Sequence, residues 1–323
     1  MALQYRVATR DDLDALAAFW NEQSGWDTLD AASWAARFTP IPDVLETRVV
    51  VGENEAGEIR TQFLFLPLLV WIDGREVRGV RPFAPVVAPD ARGGLDLNPL
   101  HHPIGAMFQH ARHAFRDLGD GVLYLIPDPR WRRLFRPFPQ FQRGQFPLLS
   151  RPLPLADGPL PLDGHAAGPF DGDWARLDPL WEASRALDGP QVVRDGRTLP
   201  WKVGQGDYQL TAVERGNDLV GFVASRHKGD RQWLVCDILA ADEAAYRATL
   251  TAAVNLGHER TQAKEPGAIV KVSVMGTARM EPAALALGFT RERYRFHLIV
   301  ERLDQTIPKE AAAPGRWGVS PND

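Results

Sequence analysis

The sequence has one cysteine, Cys236, in 323 residues. A single thiol excludes an internal disulfide framework and any metal site built from clustered cysteines. It fits a reducing compartment. Long apolar runs are also missing. The longest, Phe63 to Ile72, is interrupted by Pro67 and has about half the length of a membrane-spanning helix. The first residues, MALQYRVATRDDLDAL, lack the apolar centre of a secretion signal. No charge of one sign dominates: 37 Lys and Arg face 41 Asp and Glu, for a net charge of −4. That balance gives no general attraction to nucleic acid or to an anionic membrane. Apolar residues make up 45% and charged residues 24%, which excludes global disorder. The expectation is a soluble, cytoplasmic protein of two domains.

The pattern of elements begins with a strand at Tyr5 to Ala8. Thr9 and Asp12 have the spacing of a helix cap. Leu13, Leu16, Ala17 and Trp20 follow at helical spacing. A second helix is predicted over Ala31 to Phe38, stopped by Pro40 and Pro42. Three strands come next, Thr47 to Glu53, Arg60 to Ile72 and Glu76 to Ala88. Asp73-Gly74 is a hairpin signal between the last two. Asn98 and Pro99 then suit the start of a helix. Leu100, Ile104, Phe108, Ala111, Phe115 and Leu118 form its apolar face, and Gly119 ends it. A short strand at Val122 to Ile126, a possible helical turn at Trp131 to Phe135 and a strand at Gln140 to Leu149 complete the half.

Residues 151–170 carry prolines at 152, 154, 159, 161 and 169 and are predicted to be a linker without regular structure. The second half repeats the order: helix (Trp174 to Ala186), strands (Tyr208 to Glu214, Asp218 to Arg226, Arg231 to Ala240), a helix capped by Asp242, a strand (Ala268 to Val274), a helix (Glu281 to Leu287) and a last strand (Arg291 to Leu303). Residues 304–323 read as a flexible tail. The predicted class is mixed α/β: domains at 1–150 and 171–303, each a largely antiparallel sheet flanked by helices.

The third meander strand ends in Val86-Val87-Ala88-Pro89-Asp90-Ala91-Arg92-Gly93-Gly94, just before the helix at Pro99. In the second half, Ala284 to Phe289 reads ALALGF. In element order and in these stretches, the chain resembles the GNAT superfamily of acyl-CoA-dependent N-acyltransferases, over about residues 4–150 and 172–303. The resemblance implies two tandem GNAT-like domains. It also implies acetyl-CoA or another acyl-CoA as co-substrate, no metal, and direct transfer of an acetyl or short acyl group to a primary amine on a small molecule or peptide. Val86, Val87 and Ala88 would bind the pantetheine arm through backbone groups. Arg92, Gly93 and Gly94 would face the pyrophosphate: glycines bring N–H groups close, and arginine adds a cationic fork. The chain departs from the family pattern where Leu95-Asp96-Leu97-Asn98 separates the glycines from the helix. The bland alternative for this loop is a glycine-rich turn. The second half enters its helix at Asp242 without an Arg-Gly-Gly loop, which fits a substrate-shaping role better than a cofactor site.

Two residues are catalytic candidates. Asp237 lies in the apolar run Trp233-Leu234-Val235-Cys236-Asp237-Ile238-Leu239 and is a candidate base, or else a carboxylate bonded within the sheet. Tyr124 follows the helix and is a candidate proton donor to the thiolate, or else a core aromatic. Cys236 reads as a buried inert thiol, not a nucleophile. His101, His102, His110 and His113 read as solvated or capping residues, with His102 near enough to the helix start to touch a ligand. Trp131 to Arg136 mixes basic and aromatic residues, as a phosphate site or a solvated face would. Trp201 and Tyr208 line a pocket or fill the core. Two other functions remain open: a catalytically eroded ligand- or partner-binding protein, and an aminoacyl-tRNA-dependent transferase that forms peptide bonds. The composition does not advertise the basic groove that the latter needs.

Overall fold

The computed structural model describes residues 3–39, 41, 46–92, 101–128, 131, 135, 138–229, 231–263, 269–321 and 323. The chain divides into two compact units. The first holds residues 1–70, 76–143 and 299–309; the second holds 71–75, 144–298 and 310–323.

The first unit contains β1 (Gln4–Val7), α1 (Leu13–Gln23), α2 (Ala31–Phe38), β2 (Arg48–Glu53), β3 (Ile59–Ile72), β4 (Arg75–Val87), α3 (Pro103–Asp117) and β5 (Val122–Leu125), with the 71–75 hairpin tip counted in the second unit. Its sheet runs β1-β2-β3-β4-β5 and then takes residues 299–302 of β13 (Thr290–Arg302). Asp12 accepts the Thr9 backbone N–H at 2.7 Å, which organises the turn into α1. Asp30 caps α2 by accepting from the Ser33 N–H at 2.7 Å. The two helices bury Trp20, Trp34 and Phe38, with Trp20 and Phe38 centroids 5.2 Å apart. α3 buries Met107, Phe108, Ala111 and Phe115. Phe115 meets Phe65 of β3 edge-on at 4.9 Å.

The start of α3 departs from the predicted one. His101 and His102 are not helical, and the helix begins at Pro103 with His102 as its cap. A residue before proline is pushed out of the helical region, and His102 accordingly has φ −69° and ψ 137°. Asn98 and Pro99 lie outside the described residues, as do Pro40 and Pro42. Leu118, expected on the buried face, is 42% exposed beyond the last helical turn.

The second unit contains most of β6 (Gln142–Pro152), then β7 (Ala166–Pro169), α4 (Leu177–Ser184), β8 (Gln191–Val192), α5 (Leu199–Gly204), β9 (Gln209–Arg215), β10 (Asp218–Lys228), β11 (Gln232–Ala240), α6 (Glu243–Gln262), β12 (Lys271–Met275) and α7 (Met280–Ala286). Residues 290–298 of β13 belong here, and the strand order is β13-β6-β12-β11-β10-β9-β7. Asp242 caps α6 by accepting from the Ala245 N–H at 2.8 Å. β11 and β12 are parallel. The β9–β10, β10–β11, β6–β12 and β7–β9 pairs are antiparallel.

Two segments expected to be loose are built into this unit. Leu153 and Leu155, inside the expected linker, join the core beside Trp233, Leu250 and Val254. Their backbone is satisfied from afar: Leu153 N–H donates to the Val270 carbonyl at 2.8 Å and Leu155 N–H to His258 Nδ1 at 3.0 Å. Residues 166–169 form β7 against β9. The expected tail is likewise packed, with Ile307, Ala312, Trp317 and Val319 buried. Proline density marks where regular ladders stop, but it does not show that side chains elsewhere accept the remaining donors.

Candidate functional site

β4 and β5 are parallel neighbours joined through α3. They pair at Gly79↔Val122 and Val80↔Leu123. Beyond that point β4 continues from Arg81 to Val87, and among the described residues no further pair joins it to β5. Two parallel strands that part leave backbone N–H and C=O groups along the divergence, and an extended ligand can satisfy them as an added strand would. The last paired turn is held close by a glycine. A Cβ at Gly79 would stand 2.6 Å from Val70 Cγ2 and 3.3 Å from Val122 Cγ2.

Val86, Val87 and Ala88 lie at the far end of the divergence and are buried. Ala88 N–H donates to the Arg60 carbonyl at 2.9 Å, so its amide is taken from the β3 side. Pro89 to Ala91 form one 3₁₀ turn. Arg92 is exposed and folds back, its Nε donating to the Val87 carbonyl at 3.2 Å. That bond uses one nitrogen of the guanidinium. Asp90 is bound by Arg60 at 2.6 Å, and this bond lowers its pKa from the ordinary value. Gly93 and Gly94 lie outside the described residues, as do Leu95, Asp96 and Leu97.

At the start of α3, His102 Nδ1 accepts the Ile104 N–H at 3.3 Å. Burial lowers the pKa of His102 and favours the neutral ring that can accept. His110 is half-buried and its pKa is lowered by burial and by His113, while His113 is exposed. Tyr124 is the first residue of β5 beyond the last pair with β4, and it is fully buried. Trp131 is exposed, and residues 132–134 and 136 lie outside the described residues.

The sequence reading missed the ion pair behind this divergence. Arg112 lies on the buried side of α3 and grips Glu301 of β13 through two bonds, Nε–Oε2 at 2.5 Å and Nη2–Oε1 at 2.6 Å. Glu301 pairs with Leu123, the residue that makes the last contact with β4. The partners are 189 residues apart, so no local spacing signals them. A second buried pair joins Arg48 Nε to Asp120 Oδ2 at 3.2 Å. Burial raises the Asp120 pKa despite that partner.

Val86 lies in the first unit, and Asp237 in the second. It is buried, as its apolar neighbours imply, but it is not alone. Its Oδ1 accepts from Arg194 Nε and Lys202 Nζ, each at 2.8 Å, and from Ser320 Oγ at 3.2 Å. These bonds take up the accepting capacity of Oδ1 and tie the carboxylate to two cations. Cys236 is buried, and burial with the adjacent Asp237 pushes its thiol up to about 12. Trp201 lies on α5, and Arg226 lies over the Tyr208 ring at 5.0 Å. Among the described residues no group of three or more His, Cys, Asp or Glu stands where it could hold a metal ion. No helix of the described residues is long and apolar enough to cross a membrane.

No family model matches the sequence, and no curated protein matches it. Solved structures do. A GCN5-related N-acetyltransferase from Anabaena variabilis superposes with a TM-score of 0.65 at 14% identity, over 94% of this chain and 73% of that one. A tandem GNAT protein from the clavulanic acid biosynthesis pathway gives 0.53 at 17% identity, over 94% of this chain and 99% of that one. N-myristoyltransferase of Saccharomyces cerevisiae, solved with bound myristoyl-CoA, gives 0.55 at 9% identity, over 99% of this chain and 85% of that one. The chain has the GNAT fold, as its element order implied.

Proposed function

We propose that the protein transfers an acetyl or other short acyl group from acyl-CoA to a primary amine, and that the first unit holds the CoA. The observation that carries this reading is the parting of β4 from β5 after Val80 and Leu123. The pantetheine arm lies along β4 from Arg81 to Val87 and uses the strand's open edge. The pyrophosphate lies toward Arg92 and the N-terminus of α3, whose backbone donors and dipole favour an anion. Arg92 reaches it by exchanging its bond to the Val87 carbonyl for a phosphate oxygen, a charge-assisted and stronger acceptor. The chemistry is direct. The amine nitrogen, having lost its ammonium proton, attacks the thioester carbon; the C–N bond forms, the C–S bond breaks, and the departing thiolate takes a proton. Tyr124, at the mouth of the divergence, is the candidate donor of that proton. The proton lost by the ammonium group passes to solvent water.

Titration calorimetry with acetyl-CoA on the whole chain tests the reading, with Arg92→Glu alongside. Saturable binding that weakens at least about tenfold in the variant is expected, since a cation beside the phosphates is exchanged for an anion. Absence of binding to both acetyl-CoA and a longer acyl-CoA overturns it.

A further inference from the structure

The second unit has a strand opening of the same kind. β11 pairs with β12 at Gln232↔Lys271, Trp233↔Val272 and Leu234↔Ser273; from there to Ala240 it stays paired with β10 on its other side, and among the described residues no further pair joins it to β12. Here the space is taken. Gly318, Val319, Ser320 and Pro321 lie with residues of β11 and with Met275 around a residual cavity of about 30 Å³. The segment is anchored at several points. Gly318 N–H donates to the Pro190 carbonyl at 2.9 Å, and the Gly318 carbonyl accepts from Arg194 Nη2 at 3.0 Å. Ser320 Oγ donates to Asp237, and Ser320 N–H donates to the Asp323 carboxylate at 2.7 Å. Asp323 is held by Arg194 Nη2 at 2.6 Å and by Lys202. Two carboxylates and two cations thus balance in one buried cluster, and all four side chains are at most 8% exposed.

We propose that residues 317–321, together with Asp323, are a resident ligand of the second unit, a strap lying where an extended arm would enter between β11 and β12. The strap is held by the side chains of Arg194, Lys202 and Asp237, and its Asp323 carboxylate lies between Arg194 and Lys202. The second opening therefore takes no acyl-CoA while the strap is seated, and the chain binds one acyl-CoA, in its first unit. That count rests on the function proposed above; the seating of the strap does not.

The chain carries its own reporter. Cys236 is its single cysteine, lines the residual cavity and is 1% exposed. A maleimide reaches it only when the strap leaves or the unit unfolds. In Asp323→Asn one buried anion is lost and its two cations are left with a weaker partner, so labelling of Cys236 at neutral pH should accelerate roughly tenfold or more. Circular dichroism should show the variant folded, and labelling should remain insensitive to low urea, as local opening requires. Ser320→Ala removes one bond to Asp237 without touching a charge. It should accelerate labelling by a few-fold, about the worth of one hydrogen bond, and it serves if Asp323→Asn does not fold. Labelling at the wild-type rate in the folded variants, or labelling that follows global unfolding in urea, overturns the strap. Two equivalents of acetyl-CoA bound per wild-type chain overturn it as well. No binding at all instead counts against the acyl-transfer reading, and Cys236 labelling still decides the strap.

Discussion

Replacing Glu301 by alanine should destabilise the first unit far more than one surface carboxylate would. Arg112 and Glu301 form two short charge-assisted bonds, and their side chains are 9% and 4% exposed. Removing one partner of such a pair leaves a buried charge without compensation, at a cost of about 3–5 kcal/mol. Arg112 keeps some support, from Gln109 at 3.3 Å and from the Phe138 ring at 5.4 Å, so the low end of that range is expected. Glu301→Gln retains the shape and one acceptor and should cost about 1–2 kcal/mol. The double variant Arg112→Met with Glu301→Leu buries apolar groups of similar size and should lie within about 1 kcal/mol of the wild type. Urea unfolding followed by tryptophan fluorescence measures all three. A cost below about 1 kcal/mol for Glu301→Ala would refute the reasoning, and so would a double variant no better than the single one. Because Glu301 pairs with Leu123, Glu301→Ala should also weaken acetyl-CoA binding by loosening the last contact before β4 and β5 part.

Gly79→Ala places a Cβ 2.6 Å from Val70 Cγ2, inside the sheet, and should cost roughly 1–3 kcal/mol in the same unfolding experiment. Asp12 hydrogen-bonds Arg6, which lowers its pKa to about 2 from the ordinary 3.8. A depressed carboxyl adds stability that is fully present above its unfolded value and is lost as the pH falls through about 2. Thermal melts between those values should lose stability with acid, and Arg6→Met should remove the part of that loss due to Asp12.

Much of the fold is legible in the residues. The runs of β-branched and aromatic residues placed β3, β4 and β13 to within a residue or two of their observed ends. Asp30 and Asp242 are local caps, and their helices follow as expected. What escaped was settled by distant partners. Leu155 is ordered by His258 of α6, and Trp317, whose Nε1 donates to the Ala312 carbonyl, is buried in a segment whose composition suggests a tail. The end of β4 near Val87 was placed from the sequence, and Val86 to Ala88 could be named as a candidate because their motif is contiguous. Arg112 with Glu301, and Asp237 with Arg194 and Lys202, join residues far apart in the chain, and burial of one charge in an apolar run does not say which cation meets it.

Hydrogen exchange of the whole chain with and without acetyl-CoA tests the central claim most directly. If the first unit's opening holds the pantetheine arm, acetyl-CoA slows exchange of backbone amides in residues 81–87 of β4 and leaves residues 235–240 of β11 unchanged. Protection at 235–240, or no protection in either strand at saturating acetyl-CoA, would contradict it.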